Sequence, residues 1–229
     1  MSMSSIRSVR RGFAPSLLAA FVALACQSGT ADAAPPPAPA TAAASAAAAP
    51  ASAATVGKPA PDFTLPALDG AATTLSAHKG KIVVLEWFNP ECPFVRAAHT
   101  EGVLKDMAAK TTDVVWLAIN SGAPGKQGAD PEVNRKAKAE WALNHPILLD
   151  ADGKVGRLYG AQRTPHLMIV DAAGTLVYRG GLDNTGSGRP SDANPFINHV
   201  EAALTDLRAG KPVAVPESKV WGCSVKYGS

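Results

Sequence analysis

The apolar positions of this chain fall into short runs separated by glycine, proline and charged residues. Residues 82–88, Ile-Val-Val-Leu-Glu-Trp-Phe, are nearly continuous in apolar character and rich in branched side chains. Bounded by Gly80 and Pro90, they suit a central strand buried on both faces. Residues 114–120 predict a second such strand. Residues 63–75 read as short strands with a turn at Asp69-Gly70. Val95, Ala98, Val103, Leu104 and Met107 predict a helix over 92–110. The stretch 121–128 holds glycine and proline and reads as a loop. Residues 132–144 predict another helix, with Arg135, Lys136, Lys138 and Glu140 on a charged face. A short strand at 147–149 and a short helix at 155–159 follow. Two strands, 167–170 and 175–179, are joined by Asp171-Ala172-Ala173-Gly174, a hairpin signal. Asn194-Pro195 reads as an N-cap with proline at the first helical position. It opens a last helix to about Ala209, ended by Gly210 and Pro212. This order predicts an α/β sandwich with a mixed central sheet flanked by helices.

The N-terminal part obeys a different pattern. Arg7, Arg10 and Arg11 precede an apolar stretch over 13–25. That stretch is shorter than the roughly 20 apolar residues needed to span a bilayer, so it reads as a secretory signal. Ala31-Asp32-Ala33 offers a cleavage site, making 1–33 the signal segment. Alternatively Ala23-Leu24-Ala25-Cys26 resembles a lipoprotein box, making 1–25 the signal and Cys26 a lipid anchor. Residues 34–55 are almost entirely Ala, Pro, Ser and Thr and predict a linker without a core. The remainder divides into a domain over 56–210 and a tail over 211–229. The expected location is exported, in the periplasm or cell envelope.

Charge adds mainly exclusions. Without residues 1–33 the chain keeps 19 basic and 18 acidic residues. That balance does not suit a nucleic-acid partner. One cysteine with scattered histidines is a weak basis for a metal site, and no cofactor is expected. Of the three cysteines, Cys92 and Cys223 belong to the domain and its tail, in a compartment where disulfides can persist.

Cys92 stands where the 82–88 strand meets a helix start, followed by Pro93. Unpaired N–H groups and the positive end of the helix dipole stabilise a thiolate there. Proline in the first turn sacrifices no helical hydrogen bond. The bland alternative is a buried apolar thiol. Arg96, one turn on, reads as a solvated charge, Glu91 is expected to face solvent, and His99 is expected to be exposed.

These parts together resemble a thioredoxin-fold protein of the redoxin group, which includes peroxiredoxin-like thiol antioxidant proteins. The resemblance covers about 56–209. It rests on Gly57-Lys58-Pro59-Ala60-Pro61-Asp62-Phe63-Thr64-Leu65, on the strand running into Cys92-Pro93-Phe94-Val95, and on Thr164-Pro165 at the family's cis-proline position. The tail Trp221-Gly222-Cys223-Ser224-Val225-Lys226-Tyr227 resembles that of a redoxin subgroup with a Cys-Pro-Tyr/Phe-Val motif. The chain departs from both main branches. Val95 stands where a thioredoxin has its second thiol. Leu85 and Asn89 stand where peroxiredoxins have a proline and a hydroxyl residue.

The resemblance implies a thiol oxidoreductase with Cys92 as nucleophile. Glu86 sits where thioredoxins keep a carboxylate that accepts protons. A merely structural, hydrogen-bonded role for it stays open. The resemblance also implies that Pro165 is cis and that Thr164 offers a backbone edge to substrate beside Pro93. His166 follows and could approach the site. A reactive thiolate needs a resolving thiol. Cys223 could supply it, or be a static disulfide partner or a free thiol, in a tail that is mobile or draped over the domain with Trp221 as an anchor. The implied partners are an external dithiol reductant and a disulfide-bearing protein or small peroxide. The alternative is a non-catalytic binding or scaffold domain tethered at the cell envelope.

Overall fold

In a computed structural model, the structure describes residues 53–105, 107–185 and 195–229. The signal segment, most of the linker, Cys26 and Asn194 lie outside the described residues.

The strand β3 (Ile82–Trp87) organises the fold. Its residues from Val83 to Trp87 are all buried, so both faces carry packing. Leu85 and Trp87 join one apolar cluster and Val84 another. Fully burying a side chain such as Leu85 contributes roughly 1.5–3 kcal/mol. On one side β3 pairs in parallel with β4 (Val114–Asn120), which pairs in parallel with β5 (Ile147–Leu149). On the other side it pairs antiparallel with β7 (His166–Val170), which continues into β8 (Leu176–Gly180). The mixed five-stranded sheet therefore runs β5-β4-β3-β7-β8.

Two outer layers cover it. One face packs against the hairpin β1 (Thr64–Pro66) and β2 (Ala72–Thr74) and against α4 (Lys154–Tyr159), through Leu65, Val155 and Tyr159. The opposite face receives α1 (Pro93–Thr100), α2 (Met107–Lys110), α3 (Pro131–Glu140) and α5 (His199–Arg208). Both parallel crossovers, through α1 and α3, lie on this face, as right-handed connections between successive strands require. Asp130 caps α3 by accepting from the Glu132 N–H, with Pro131 in the first turn.

Four expectations are corrected by tertiary packing. The helix expected over 92–110 is divided into α1 and α2. The break falls at Gly102, where an added Cβ would lie 2.9 Å from Ala98 Cα. The last helix begins at His199, capped by the Asn198 side chain on the Glu201 N–H, and Pro195 is not helical. The helix expected to reach Asn144 ends at Glu140, and Ala142 just beyond adopts φ 51°. Ala54, expected in the linker, is buried in the core and donates its N–H to Leu158 O.

Two short strands, β6 (Arg163–Thr164) and β9 (Cys223–Ser224), form a separate antiparallel ladder. The tail is thus draped over the domain.

Candidate active site

Cys92 is the N-cap of α1, in extended conformation, with Pro93 opening the helix. Its N–H donates to Asn89 O at 3.0 Å and its carbonyl accepts from Arg96 N at 3.0 Å. The preceding turn is held by Asn89, which is buried. Asn89 Oδ1 accepts from Glu91 N and its Nδ2 donates to Gln127 O. Gly128, at φ +74°, passes so close that a Cβ there would collide with the Asn89 amide. Asn89 is therefore occupied in fastening two loops together. Glu91 and Arg96 are both exposed, and Glu91 Oε2 also accepts from Gly128 N.

The Cys92 sulfur is 0% exposed and donates to Thr164 O at 3.1 Å. The Thr164–Pro165 bond is cis. In the ladder of β6 and β9, Thr164 stands directly opposite Cys223. This register sets Cys223 against the cluster that contains Cys92, and both cysteines are free thiols. Burial alone would push the Cys92 thiol up. The neighbouring Cys223 and Thr164 side chains and the Val95 and Cys223 backbone outweigh it and leave Cys92 below the ordinary thiol value. Cys223 is pushed up to about 11 by burial first, then by its hydrogen bond to Cys92 and the charge there. Lys226 and Arg163 oppose that shift in part. One sulfur is thus set to ionise and the other to keep its proton.

The tail is pinned on both sides of Cys223. Upstream, Ser218 Oγ accepts from Gly181 N at 3.0 Å and lies 2.7 Å from Tyr178 Oη. Trp221 Nε1 donates to Asp183 O at 2.9 Å, and its ring meets Phe94 edge-on at 5.7 Å. Downstream, Val225 N donates to Gln162 O and Ala123 N donates to Lys226 O. The Tyr227 hydroxyl donates to Ala161 O at 2.9 Å, under the Arg157 guanidinium at 4.5 Å from the ring centre. Gly153 and Gly156 make room for that tyrosine, since a Cβ on either would lie within 2.6 Å of its side chain. Trp221 is an anchor, as the sequence suggested. Sequence marked Phe94 and Tyr227 only as members of longer motifs, and Arg163 not at all.

Glu86 does not stand free beneath the cysteine. His99 Nε2 lies 2.9 Å from Glu86 Oε1 and 3.1 Å from Oε2, and both side chains are buried. The expected exposure of His99 is therefore corrected. It falls one turn after Val95 on the buried face of α1, between Trp141, stacked at 5.7 Å, and Phe88. His166 neighbours Pro165 but turns its ring toward Trp87, with Nδ1 accepting from Gln162 N.

Two buried histidines make stability depend on pH. Burial pushes His145 down to about 4, against a smaller upward pull from Glu86, and pushes His166 down to about 4, helped by Arg179. Between about 4 and the ordinary 6.5 the unfolded chain binds more protons than the folded one. Stability is full above pH 6.5 and is lost as pH falls toward 4. At about 1.4 kcal/mol per unit, each histidine contributes roughly 3 kcal/mol. Asp150, raised chiefly by burial, acts in the opposite sense just above its ordinary value. Urea melts at pH 7, 5.5 and 4.5 are expected to show falling stability, with a shallower fall in His145→Leu. Equal stability at the three values would refute this.

Among the described residues no group of three or more His, Cys, Asp or Glu is arranged to hold a metal ion.

Thiol-disulfide oxidoreductase ResA of Geobacillus thermodenitrificans is 31% identical over 126 residues, covering 54% of this chain and 68% of that protein. The chain spans less than two thirds of the length of the DsbE proteins it also matches. A Synechocystis protein named as a peroxiredoxin is 27% identical over 71% of this chain and 90% of its own length. The crystal structure of an uncharacterized conserved protein from Geobacillus kaustophilus superposes with a TM-score of 0.65 at 31% identity, covering 76% of this chain and 93% of that one. The Redoxin family model matches residues 55–195. With its thioredoxin-like mixed sheet and this match over most of its length, the chain belongs to the Redoxin family.

Proposed function

We propose that the chain is a thiol oxidoreductase working through a Cys92–Cys223 dithiol–disulfide pair. The observation that carries this reading is the placement of Cys223 opposite Thr164, whose carbonyl accepts from the Cys92 thiol at 3.1 Å, with Cys92 held below the ordinary thiol value and Cys223 pushed up to about 11. In the cycle, the Cys92 thiolate attacks one sulfur of a disulfide R–S–S–R′. The Cys92–S–S–R bond forms, and R′–S⁻ leaves with the electron pair and takes up a proton. The Cys223 thiol then attacks the Cys92 sulfur. Its proton goes to R–S⁻, and the Cys92–Cys223 disulfide remains. With a hydroperoxide, the thiolate takes the terminal oxygen and the alkoxide is protonated. The Cys223 thiol then displaces water from the sulfenic acid. Either route moves two electrons and two protons to substrate, and an external dithiol restores the pair.

Pro93 opens the helix at the nucleophile, and Thr164, before Pro165, holds the sulfur through its carbonyl. Glu86 acts through His99 in positioning α1, whose first turn carries Cys92 and whose last carries His99. The reaction takes place outside the cytoplasm, in the periplasm or envelope, to which residues 1–33, or 1–25 with Cys26 lipidated, direct the chain. Residues 34–55 serve as tether, 56–210 as the redoxin domain and 211–229 as the tail. Among the described residues no helix is long and apolar enough to cross a membrane.

The test is mass spectrometry of oxidised protein, with thiolate absorbance followed against pH. Wild type is expected to lose two hydrogens through a Cys92–Cys223 disulfide, and Cys223→Ser to trap Cys92 as sulfenic acid or mixed disulfide. Cys92 is expected to ionise below an ordinary thiol, and to move up in Cys223→Ala, which lacks a side-chain donor. An ordinary Cys92 titration with no disulfide would favour the non-catalytic binding domain instead.

A further inference from the structure

We infer that the substrate of this pair is a small molecule, a low-molecular-mass disulfide or hydroperoxide, and that the docked strand β9 keeps polypeptide disulfides out. The inference rests on the redox reading above and adds to it the size class of the substrate.

A strand edge with free N–H and C=O groups beside a reactive sulfur is a ready site for an extended polypeptide, which binds by adding a strand. The edge here is β6, and the chain's own tail already occupies it. Arg163 pairs with Ser224, Thr164 with Cys223, and Gln162 O accepts from Val225 N. The fit at this point is close. Gly222 lies so near Thr164 O that a Cβ would come within 2.2 Å of it. A polypeptide needs several consecutive backbone groups of that edge. It must therefore lift the whole segment from Ser218 to Tyr227, including the Trp221 and Tyr227 anchors.

A small oxidant meets a lower barrier. The ladder between the anchors is two residues long. Its local opening uncovers the Cys92 sulfur while both flanks stay docked, and short ladders open far more often than whole segments. Cys223 is already partly exposed and remains within reach to resolve the product. The same strand that supplies the second thiol thus acts as the size filter. Trp221 and Tyr227 are the specificity-determining residues, one at each end.

The experiment compares turnover, with dithiothreitol as reductant, on three probes: glutathione disulfide, hydrogen peroxide and insulin. Wild type is expected to use one or both small probes and to reduce insulin disulfides at most about one tenth as fast, because the open edge is a minor population. Trp221→Ala and Tyr227→Ala, made separately, are expected to raise the insulin-to-small-probe ratio about tenfold by enlarging that population. The two small probes distinguish sulfur from oxygen substrates. Wild type reducing insulin as fast as the small probes would overturn the inference, whether or not either variant folds. So would an unchanged ratio in a folded variant. Those outcomes leave the redox reading standing if the Cys92–Cys223 disulfide forms. No turnover of any probe together with no disulfide overturns the redox reading, and the inference with it.

Discussion

Gly222→Ala is expected to slow formation of the Cys92–Cys223 disulfide about a hundredfold, the usual cost of displacing a reacting group by about 1 Å. Gly222 adopts φ +114°, a conformation that suits glycine alone. An added methyl would lie 2.2 Å from Thr164 O and 2.9 Å from the Thr164 carbonyl carbon. Both are backbone atoms and cannot swing aside. They also belong to the carbonyl that accepts the Cys92 S–H. The strand must move off, and Cys223 moves with it. The measurement is the rate of disulfide formation with glutathione disulfide, quenched by alkylation and read by mass. The fold should survive, because the five-stranded sheet does not depend on β9. Loss of the Cys223 donor should also raise the Cys92 pKa. A folded Gly222→Ala protein that closes the disulfide at the wild-type rate would show that the ladder does not place the two sulfurs.

His99→Leu should be the most destabilising single change near the site, at about 3–5 kcal/mol. Glu86 projects from the central strand and is 1% exposed, with His99 bonded to both its oxygens. Removing the imidazole leaves a carboxylate buried without its partner. The large cost belongs to the orphaned charge more than to the bond itself. Hence Glu86→Leu/His99→Leu should recover most of the loss, since a buried pair often exchanges for apolar side chains at little cost. Urea denaturation of the two single variants and the double variant tests this. A loss under about 1 kcal/mol in His99→Leu would mean that Glu86 reaches water or another partner.

The histidine was legible in part. An acidic residue inside an apolar strand requires a partner, and His99 shares a helix face with Val95 at a spacing of four. What hid the pairing is that Glu86 and His99 meet across two elements whose relative rotation no local pattern states. The divided helix shows a similar limit. Gly102 is a visible break signal, but its force comes from the close approach to Ala98.

By itself, the sequence determined the elements whose cause is local. The branched apolar run of β3, the Asp130-Pro131 start of α3 and the strand-to-helix junction at Cys92 follow from side-chain shape, capping and periodicity over a few residues. Those elements in that order, with the resemblance they carry, were enough for the α/β class and for setting Cys92 at a helix start. Only the tertiary structure decided that Cys223 lies against Cys92. That contact depends on a two-residue ladder between segments about sixty residues apart, too short to leave an alternating pattern. It also depends on a ring seated on glycines of α4 and an indole on Asp183 and Phe94. Such contacts become favourable only once the domain beneath them is built, because the cost of closing so long a loop must be met by many anchors at once.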